Sequence, residues 1–326
     1  MSASVLCTPS VSIAYLPRSA LCFSKLFVRL TTPFRPRLAG PQRLKWYEFT
    51  VSTPQQQLDT LRGILRGLGS VLVCYSGGID SAFVLAVAHA ELGPRAVGMT
   101  AVSPSLSPSE KEDAARIAAE LGAQHRFVES HELERPGYVQ NGPDRCFHCK
   151  SELYEIAEAK RNEWQLAVVV NGTNRDDLGD YRPGLEAAKN AGARSPLVEA
   201  GMSKSDVRAA AQAIGMTVWD KPAAACLSSR IPYGTSVTTE RLAQIAGLEA
   251  ALKSLGFRQL RVRWHDKIAR IEVALSELEL VLAPGVREAV VAAGKQHGFQ
   301  YVTLDLGGYR TGSHNEVLVG RTLRVV

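Results

Sequence analysis

Residues 70–83 read SVLVCYSGGIDSAF, an apolar run that is followed by two adjacent glycines and an acidic residue. The run predicts a buried strand over 70–75, and the apolar residues after Ser81 predict a helix that ends near Gly93. Adjacent glycines let the backbone turn tightly and approach a ligand without a Cβ in the way. The N-terminus of the helix offers free N–H groups and the positive end of the helix dipole. This stretch therefore predicts a phosphate-binding loop between a strand and a helix.

Strand and helix patterns alternate on both sides of this loop. A helix is predicted over 54–68, and the later predicted elements are strands at 96–102, 125–129, 166–170 and 216–219 and helices at 108–121, 150–163 and 203–215. Alternation at this spacing is typical of a parallel sheet that is covered by helices. The expected fold class is therefore α/β, built on a parallel sheet.

The pattern changes after residue 236. The predicted elements there are helices at 239–255 and 284–296, a hairpin of strands at 258–264 and 267–274, and a strand at 299–306. This mixture predicts a smaller α+β domain at the C-terminus. We expect three regions: a basic, disordered N-terminal extension (1–50), the nucleotide-binding domain (51–236), and an α+β domain (237–326) that serves substrate binding or oligomerisation.

The formal net charge of +6 comes from the N-terminal extension. Seven of the 38 basic residues and no acidic residue lie in 1–47, so 31 basic and 32 acidic residues remain in the rest of the chain. The nearly neutral remainder argues against a nucleic-acid partner. No apolar run reaches the roughly 18 residues of a membrane span, so no membrane partner is expected. We expect a cytoplasmic protein, with an organelle transit peptide as the second interpretation of the acid-free leader.

The loop at 76–81 has the pattern SGGxDS. The chain contains neither GxxxxGK(S/T) nor a GxGxxG after a strand, which excludes two common phosphate-binding loops. Ser76 and Ser81 add hydroxyl donors, whereas Asp80 would repel a phosphate unless it bonds backbone amides or Mg²⁺. The motif resembles the PP-loop of the ATP pyrophosphatases, an adenine nucleotide alpha hydrolase-like fold. The resemblance implies that ATP is cut between its α and β phosphates and that the pyrophosphate is held by Ser76, Gly77, Gly78, Asp80 and Ser81.

Further segments narrow the resemblance. They are NGTNRDD at 171–177, DYRPG at 180–184, RSPL at 194–197, KPAAACLSSRIPYG at 221–234 and LDLGGYRTGS at 304–313. Together they resemble the family of the ATP-dependent sulfur transferase LarE, from about Leu58 to the C-terminus. The resemblance implies adenylation of the carboxylates of pyridinium-3,5-biscarboxylic acid mononucleotide and their conversion to thiocarboxylates, in nickel-pincer nucleotide biosynthesis. It also implies a small-molecule nucleotide substrate and a homo-oligomer, and it leaves the sulfide donor open.

Thiolation of an acyl adenylate needs a soft nucleophile that attacks the carbonyl carbon and expels AMP. The resemblance assigns this role to Cys226, which lies beside Arg230, a positive charge and a further candidate anchor for a phosphate. Family members that have only this cysteine give up its sulfur and retain dehydroalanine.

A CxxC at Cys146 and Cys149 departs from that simplest form and is predicted to lie in a loop just before a helix. With Cys226 it provides three soft ligands and no obvious fourth. This set resembles the branch of the family that carries a [4Fe-4S] cluster, whose open iron could hold an extra sulfide. A structural zinc site with His148 or a distant histidine, and a redox dithiol without metal, remain as alternatives.

Other polar residues are expected to border the pocket. Asn174, Asp177 and Asp180 follow the carboxyl end of a buried strand, where ligands bind in parallel sheets, and the two acids are candidate Mg²⁺ or ribose contacts. Arg261 and Arg263 alternate along a strand and so point the same way, as a guanidinium pair for the substrate's phosphate and carboxylates. The alternatives are solvated loop acids and a charged outer sheet face.

Two other functions remain open from the sequence. Another PP-loop enzyme would be a tRNA-thiolating enzyme or an ammonia-dependent amidating ligase of the NAD or GMP synthase kind. A nucleotide-binding sensor without chemistry would bind ATP and release no pyrophosphate.

Overall fold

The structure is a computed structural model that describes residues 53–179, 183–221 and 225–310. Apart from Thr53, these residues belong to one compact unit. The predicted N-terminal extension (1–50), Asp180 and part of the segment before Cys226 lie outside the described residues. In chain order, the first elements are α1 (Pro54–Leu68), β1 (Val71–Cys74), α2 (Ile79–Leu92), β2 (Ala96–Val102), α3 (Pro108–Glu120), β3 (Gln124–Glu129), α4 (Pro136–Val139), α5 (Arg145–Glu163) and β4 (Val168–Val170).

The second half of the chain is mainly helical before it reaches a second sheet. Its elements are α6 (Pro183–Asn190), α7 (Pro196–Glu199), α8 (Lys204–Ala213), α9 (Thr239–Ser254), β5 (Leu260–His265), β6 (Ile268–Val273), α10 (Leu278–Leu282), α11 (Val286–Gln296) and β7 (Tyr301–Leu304). None of the described helices is long and apolar enough to cross a membrane.

The first sheet is parallel and has the strand order β3-β2-β1-β4. Its central strand β1 is buried from Val71 to Val73 because helices cover both of its faces. Helix α1 packs three leucines that recur at helical spacing, Leu58, Leu61 and Leu65, into the same core. The carboxyl ends of all four strands lie at one edge of the sheet. The predicted α/β fold with a parallel sheet is thus confirmed.

The smaller C-terminal sheet has the order β5-β6-β7. Strands β5 and β6 form the predicted antiparallel hairpin, and β7 pairs with β6 in parallel. Residues of α9 and α11 fill its core together with Tyr138, Leu227 and Ile231 from earlier in the chain. Because those three residues precede it, the domain boundary at 236–237 stays a prediction.

Two local predictions were wrong. Helix α5 begins at Arg145, so Cys146 and Cys149 lie in its first two turns and not in a loop before a helix. The start signal is Pro-Asp at 143–144, with Asp144 at the N-cap position. Residues 217–220 form a turn instead of a strand, because Lys221 N bonds Val218 O at 3.1 Å. A short apolar run does not by itself distinguish a strand from other buried backbone.

Candidate active site

The SGGxDS loop is closed by hydrogen bonds of the Ser81 hydroxyl. Ser76 N donates to Ser81 Oγ at 3.1 Å, and Ser81 Oγ donates to Gly78 O at 3.0 Å. Gly77 has φ +72°, and a Cβ on it would lie 3.1 Å from Ala114 Cα. Both the left-handed backbone and the close approach of α3 therefore require glycine at this position. The loop leads into α2 at Ile79, so the helix N-terminus faces the carboxyl edge of the sheet.

Asp80 lies in the first turn of α2 and contacts two side chains from other elements. Asn174 Nδ2 donates to Asp80 Oδ1 at 3.4 Å, and the Lys204 ammonium forms an ion pair with Asp80 Oδ2. A positive charge thus already lies where the sequence analysis expected Mg²⁺.

Lys204 was not predicted from the sequence. This lysine is the first residue of α8, where its positive charge opposes the helix dipole. The signal that could have identified it is this local conflict, directly after the Ser203 cap, because residues that break a local rule often serve a site.

The loop after β4 packs directly on the SGGxDS loop. Asn174 N donates to Asp177 Oδ2 at 3.0 Å, so the Asp177 carboxylate holds the loop that brings Asn174 to Asp80. A Cβ on Gly172 would lie 2.6 Å from Ser81 N and 2.9 Å from Ser81 Cα. The two loops are therefore in backbone contact at this point.

Replacing Gly172 by alanine is expected to destabilise the protein. The added Cβ meets backbone that cannot turn away, so the free energy of unfolding should fall by about 1–3 kcal/mol. Denaturant unfolding measures the change.

The matched control is Gly63→Ala. Gly63 lies within α1 and has nothing within 4 Å of an added Cβ. Its replacement should raise stability by up to about 1 kcal/mol through helix propensity. Equal stabilities of the two variants would contradict the close contact.

Cys226 is exposed and lies in residues 225–235, the Cys226 loop, near the same edge of the sheet. Leu227 N donates to Ser105 O at 2.9 Å, which ties this loop to the segment after β2. Arg230 is buried, forms hydrogen bonds of 2.9 and 3.1 Å to the Glu249 carboxylate, and donates to the carbonyl oxygen of Cys226 at 3.0 Å. Arg230 therefore holds the backbone that carries the thiol.

Arg263 and Arg261 have different surroundings. Arg263 is buried, makes two hydrogen bonds to Glu272 at 3.0 and 2.9 Å, and donates to Ser229 O at 2.9 Å. The Arg261 guanidinium lies 5.1 Å from the ring centroid of Tyr309. Burial lowers the pKa of Arg261, and the nearby positive charge of Arg230 adds to this effect.

A cavity of about 340 Å³ lies beside these arginines. Its basic lining residues are Arg116, Lys221, Arg230, Lys253, Arg258 and Arg261. Lys221 pairs with Glu110 and Asp113 at 3.2 and 2.9 Å and donates to Gly77 O at 3.3 Å. The cavity therefore borders the SGGxDS loop on one side and the Cys226 loop on the other.

The CxxC cysteines differ in burial. Cys146 is exposed, whereas Cys149 is half-buried and its thiol donates to Glu132 Oε2 at 3.4 Å. Burial raises the pKa of the Cys149 thiol well above its usual value, and the Glu132 carboxylate raises it further. Cys226 is close enough to Cys149 to add to the rise in the pKa of its thiol. Burial lowers the pKa of Arg145, but the nearby Cys226 and Cys146 contribute to a net rise. In the described part of the chain, no three His, Cys, Asp or Glu side chains converge closely enough to hold one metal ion.

The fold and the loop define the class of this protein. A parallel sheet whose central strand runs through SGGxDS into a helix is the nucleotide site of the PP-loop ATP pyrophosphatases. The asparagine synthase family model matches residues 59–138, which contain this loop.

Three relatives cover most of the chain. The pyridinium-3,5-bisthiocarboxylic acid mononucleotide synthase of Lactiplantibacillus plantarum is 40% identical over 260 residues, which are 79% of this chain and 94% of that protein. An uncharacterized protein of Synechocystis sp. is 43% identical over 264 residues, 81% of this chain and 98% of its own length. An uncharacterized protein of Methanocaldococcus jannaschii is 27% identical over 241 residues, which are 74% of this chain and 91% of that protein. The chain belongs to the family of the pyridinium-3,5-bisthiocarboxylic acid mononucleotide synthase, the LarE family, as the sequence motifs predicted.

Proposed function

We propose that this protein is an ATP-dependent sulfur transferase that adenylates the carboxylates of pyridinium-3,5-biscarboxylic acid mononucleotide and converts them to thiocarboxylates, for nickel-pincer nucleotide biosynthesis. The observation that carries the proposal is the position of Cys226. Its loop is tied to Ser105 after β2, near the edge of the sheet that also bears the SGGxDS loop. A thiol and a pyrophosphate-binding loop are thus available to one substrate.

In the first step, a carboxylate oxygen of the substrate attacks the α-phosphorus of ATP. The bond from this phosphorus to the bridging oxygen breaks, and pyrophosphate leaves into the SGGxDS loop. Free N–H groups at the start of α2 and the Lys204 ammonium stabilise the negative charge of the leaving group. Asp80 would hold Mg²⁺, which offsets phosphate charge, and Asn174, whose loop is held by Asp177, contacts this carboxylate. The Lys204 ion pair supports a cation at this position.

In the second step, the sulfur nucleophile attacks the carbonyl carbon of the acyl adenylate and AMP leaves. Where this nucleophile is the Cys226 thiolate, the resulting thioester releases the thiocarboxylate by elimination: the Cα proton is lost, the Cβ–Sγ bond breaks, and dehydroalanine remains. Arg230 and Arg263 donate to carbonyl oxygens of the Cys226 loop and so hold the thiol in place. We assign the substrate's phosphate to the cavity beside Arg261, which is lined by six basic and four acidic residues.

We further propose that Cys146, Cys149 and Cys226 hold a [4Fe-4S] cluster. Cys146 and Cys226 lie within electrostatic reach of Arg145, and Cys146 and Cys149 lie within reach of Lys150. Soft thiol donors beside two cations suit an anionic iron–sulfur group. The zinc alternative would use Nδ1 of His148, because its Nε2 bonds Asp144 at 3.1 Å. When bound, the cluster would supply a sulfide for thiolation and spare the sulfur of Cys226.

The function is tested by incubating the purified protein with Mg-ATP and the biscarboxylate mononucleotide. We expect pyrophosphate and AMP in equal amounts, together with a product in which sulfur replaces a carboxylate oxygen, detected by mass spectrometry. An amide formed from ammonia would favour the ligase alternative, and salt-sensitive tRNA retention would favour the tRNA enzyme. ATP binding without pyrophosphate release would overturn the proposal in favour of a sensor.

Iron analysis tests the cluster separately. Anaerobically purified protein is expected to contain about four iron and four acid-labile sulfide per chain, and Cys146→Ala should lose most of both. Cys74→Ala is the control, because Cys74 lies in β1, where it packs against the apolar core of the sheet, and burial raises the pKa of its thiol to about 12. Stoichiometric zinc that excludes iron would contradict the cluster.

A further inference from the structure

Asn141 connects the segment before α5 to the Cys226 loop. Its side chain is fully buried, and its Nδ2 donates to the carbonyl oxygens of Pro232 and Thr235 at 2.9 Å each and of Ile231 at 3.3 Å. Asn141 O accepts from Gly234 N at 3.0 Å. Asn141 thus forms hydrogen bonds with backbone carbonyl and amide groups at residues 231–235, the C-terminal end of the Cys226 loop.

Arg145 makes the second connection. It is buried as the first residue of α5, directly before Cys146. Its Nη1 donates to Asn141 Oδ1 and to Ser228 O, the latter at 2.9 Å. Ser228 lies two residues after Cys226, so one guanidinium joins the backbone next to Cys226 to the helix that carries the CxxC.

Two neighbouring contacts strengthen the same junction. The hydroxyl of Tyr138 bonds that of Ser228 at 2.5 Å, and Val237 N donates to Val139 O at 2.9 Å. Tyr138 and Ser228 are both buried. Since buried polar groups are costly to leave unpaired, the loop has a strong preference for this one position.

We propose that Asn141 and Arg145 are positioning residues that hold Cys226 at a fixed separation from Cys146 and Cys149. The proposal rests on the proposed function only in giving this separation a role in sulfur transfer. The sheet contact at Ser105 fixes one end of the loop, whereas Asn141 and Arg145 fix the loop to α5.

Asparagine suits position 141 for two physical reasons. Its φ is +55°, a left-handed conformation that asparagine adopts more readily than most residues with a Cβ. Its amide both donates to carbonyl oxygens and accepts from Arg145, which a carboxylate cannot do. Asn141→Asp therefore removes the donor at nearly constant shape, and Asn141→Gly removes the side chain while allowing the same backbone.

The separation is tested by thiol cross-linking of reduced, metal-free protein with a short bismaleimide. A Cys149→Ser background keeps the exposed pair Cys146 and Cys226, which reports on the loop. A Cys226→Ser background keeps Cys146 and Cys149, a reference pair within α5; the remaining cysteines, Cys7, Cys22 and Cys74, are common to both backgrounds. In both backgrounds Asn141 is changed, and cross-linked peptides are quantified by mass spectrometry.

We expect Asn141→Asp and Asn141→Gly to lower cross-linking of Cys146 to Cys226 by about fivefold or more, with the reference pair unchanged. The control Asn162→Asp makes the same chemical change at the exposed far end of α5 and should change neither pair. Unchanged cross-linking to Cys226, or an equal loss in both pairs for every variant that remains soluble, would overturn the proposal.

A second measurement tests whether the separation of Cys226 from the CxxC cysteines matters for sulfur transfer. The ratio of thiocarboxylate formed to pyrophosphate released should fall about tenfold in Asn141→Asp, because small misplacements of reacting groups cost large factors in rate. Wild-type protein that forms no thiocarboxylate would refute the proposed function, while the cross-linking result would still decide the role of Asn141. A normal ratio in a variant that has lost cross-linking would overturn the role of this separation in sulfur transfer.

Discussion

Cys226→Ala is expected to abolish thiocarboxylate formation, by about three orders of magnitude or more, while pyrophosphate release from Mg-ATP continues. The Cys226 loop is held through its carbonyl oxygens by Arg230, Arg145 and Asn141, so loss of the sulfur atom leaves the loop in place. The measurement follows both products in one reaction.

Cys74→Ala serves as the matched control for this prediction, because it also removes one sulfur but from the buried strand β1. It should retain both activities. Full thiolation by Cys226→Ala would exclude Cys226 from sulfur transfer, both as the sulfur donor and as a cluster ligand.

Asp80→Asn is expected to lower pyrophosphate release by about 100-fold or more, since an amide removes the charge that would hold Mg²⁺ beside the phosphates. The same change leaves the Lys204 ammonium without its carboxylate partner. Initial rates at saturating Mg-ATP, with Mg²⁺ varied, measure the effect.

The control for Asp80 is Asp59→Asn, which neutralises an exposed carboxylate on α1. This variant should behave as wild type. An Asp80→Asn protein with a normal rate and normal dependence on Mg²⁺ would show that the loop binds pyrophosphate without this carboxylate.

Much of the parallel sheet could be predicted because its strands are short apolar runs that alternate with helices. The SGGxDS loop could also be predicted, since adjacent glycines and the following helix are local features of the sequence. The start of α5 at Arg145 was missed because its cysteines suggested a ligand loop, and the helix signal was only Pro-Asp at 143–144.

The contacts of the site were harder to predict, because they join residues that are distant in the chain. Lys204 meets Asp80, and Asn141 meets Pro232, across separations over which sequence spacing carries no information. The strand pattern placed Arg261 and Arg263 on one face of β5. It could not show that Arg263 is paired with Glu272 on the neighbouring strand, because the pairing register appears only in the fold.

The Cys226 loop is held by its backbone, and every amino acid offers the same carbonyl oxygen to Arg230 and Arg263. The stability of the fold therefore does not depend on whether the side chain of residue 226 still carries its sulfur. A molecule without a cluster that had given up the sulfur of Cys226 would therefore stay folded and continue to bind nucleotide. In a mixed population, such exhausted molecules would compete with fresh ones for the same substrate. The progress curve would then slow faster than the loss of sulfur alone predicts, and added fresh enzyme would restore less than its proportional share of the rate.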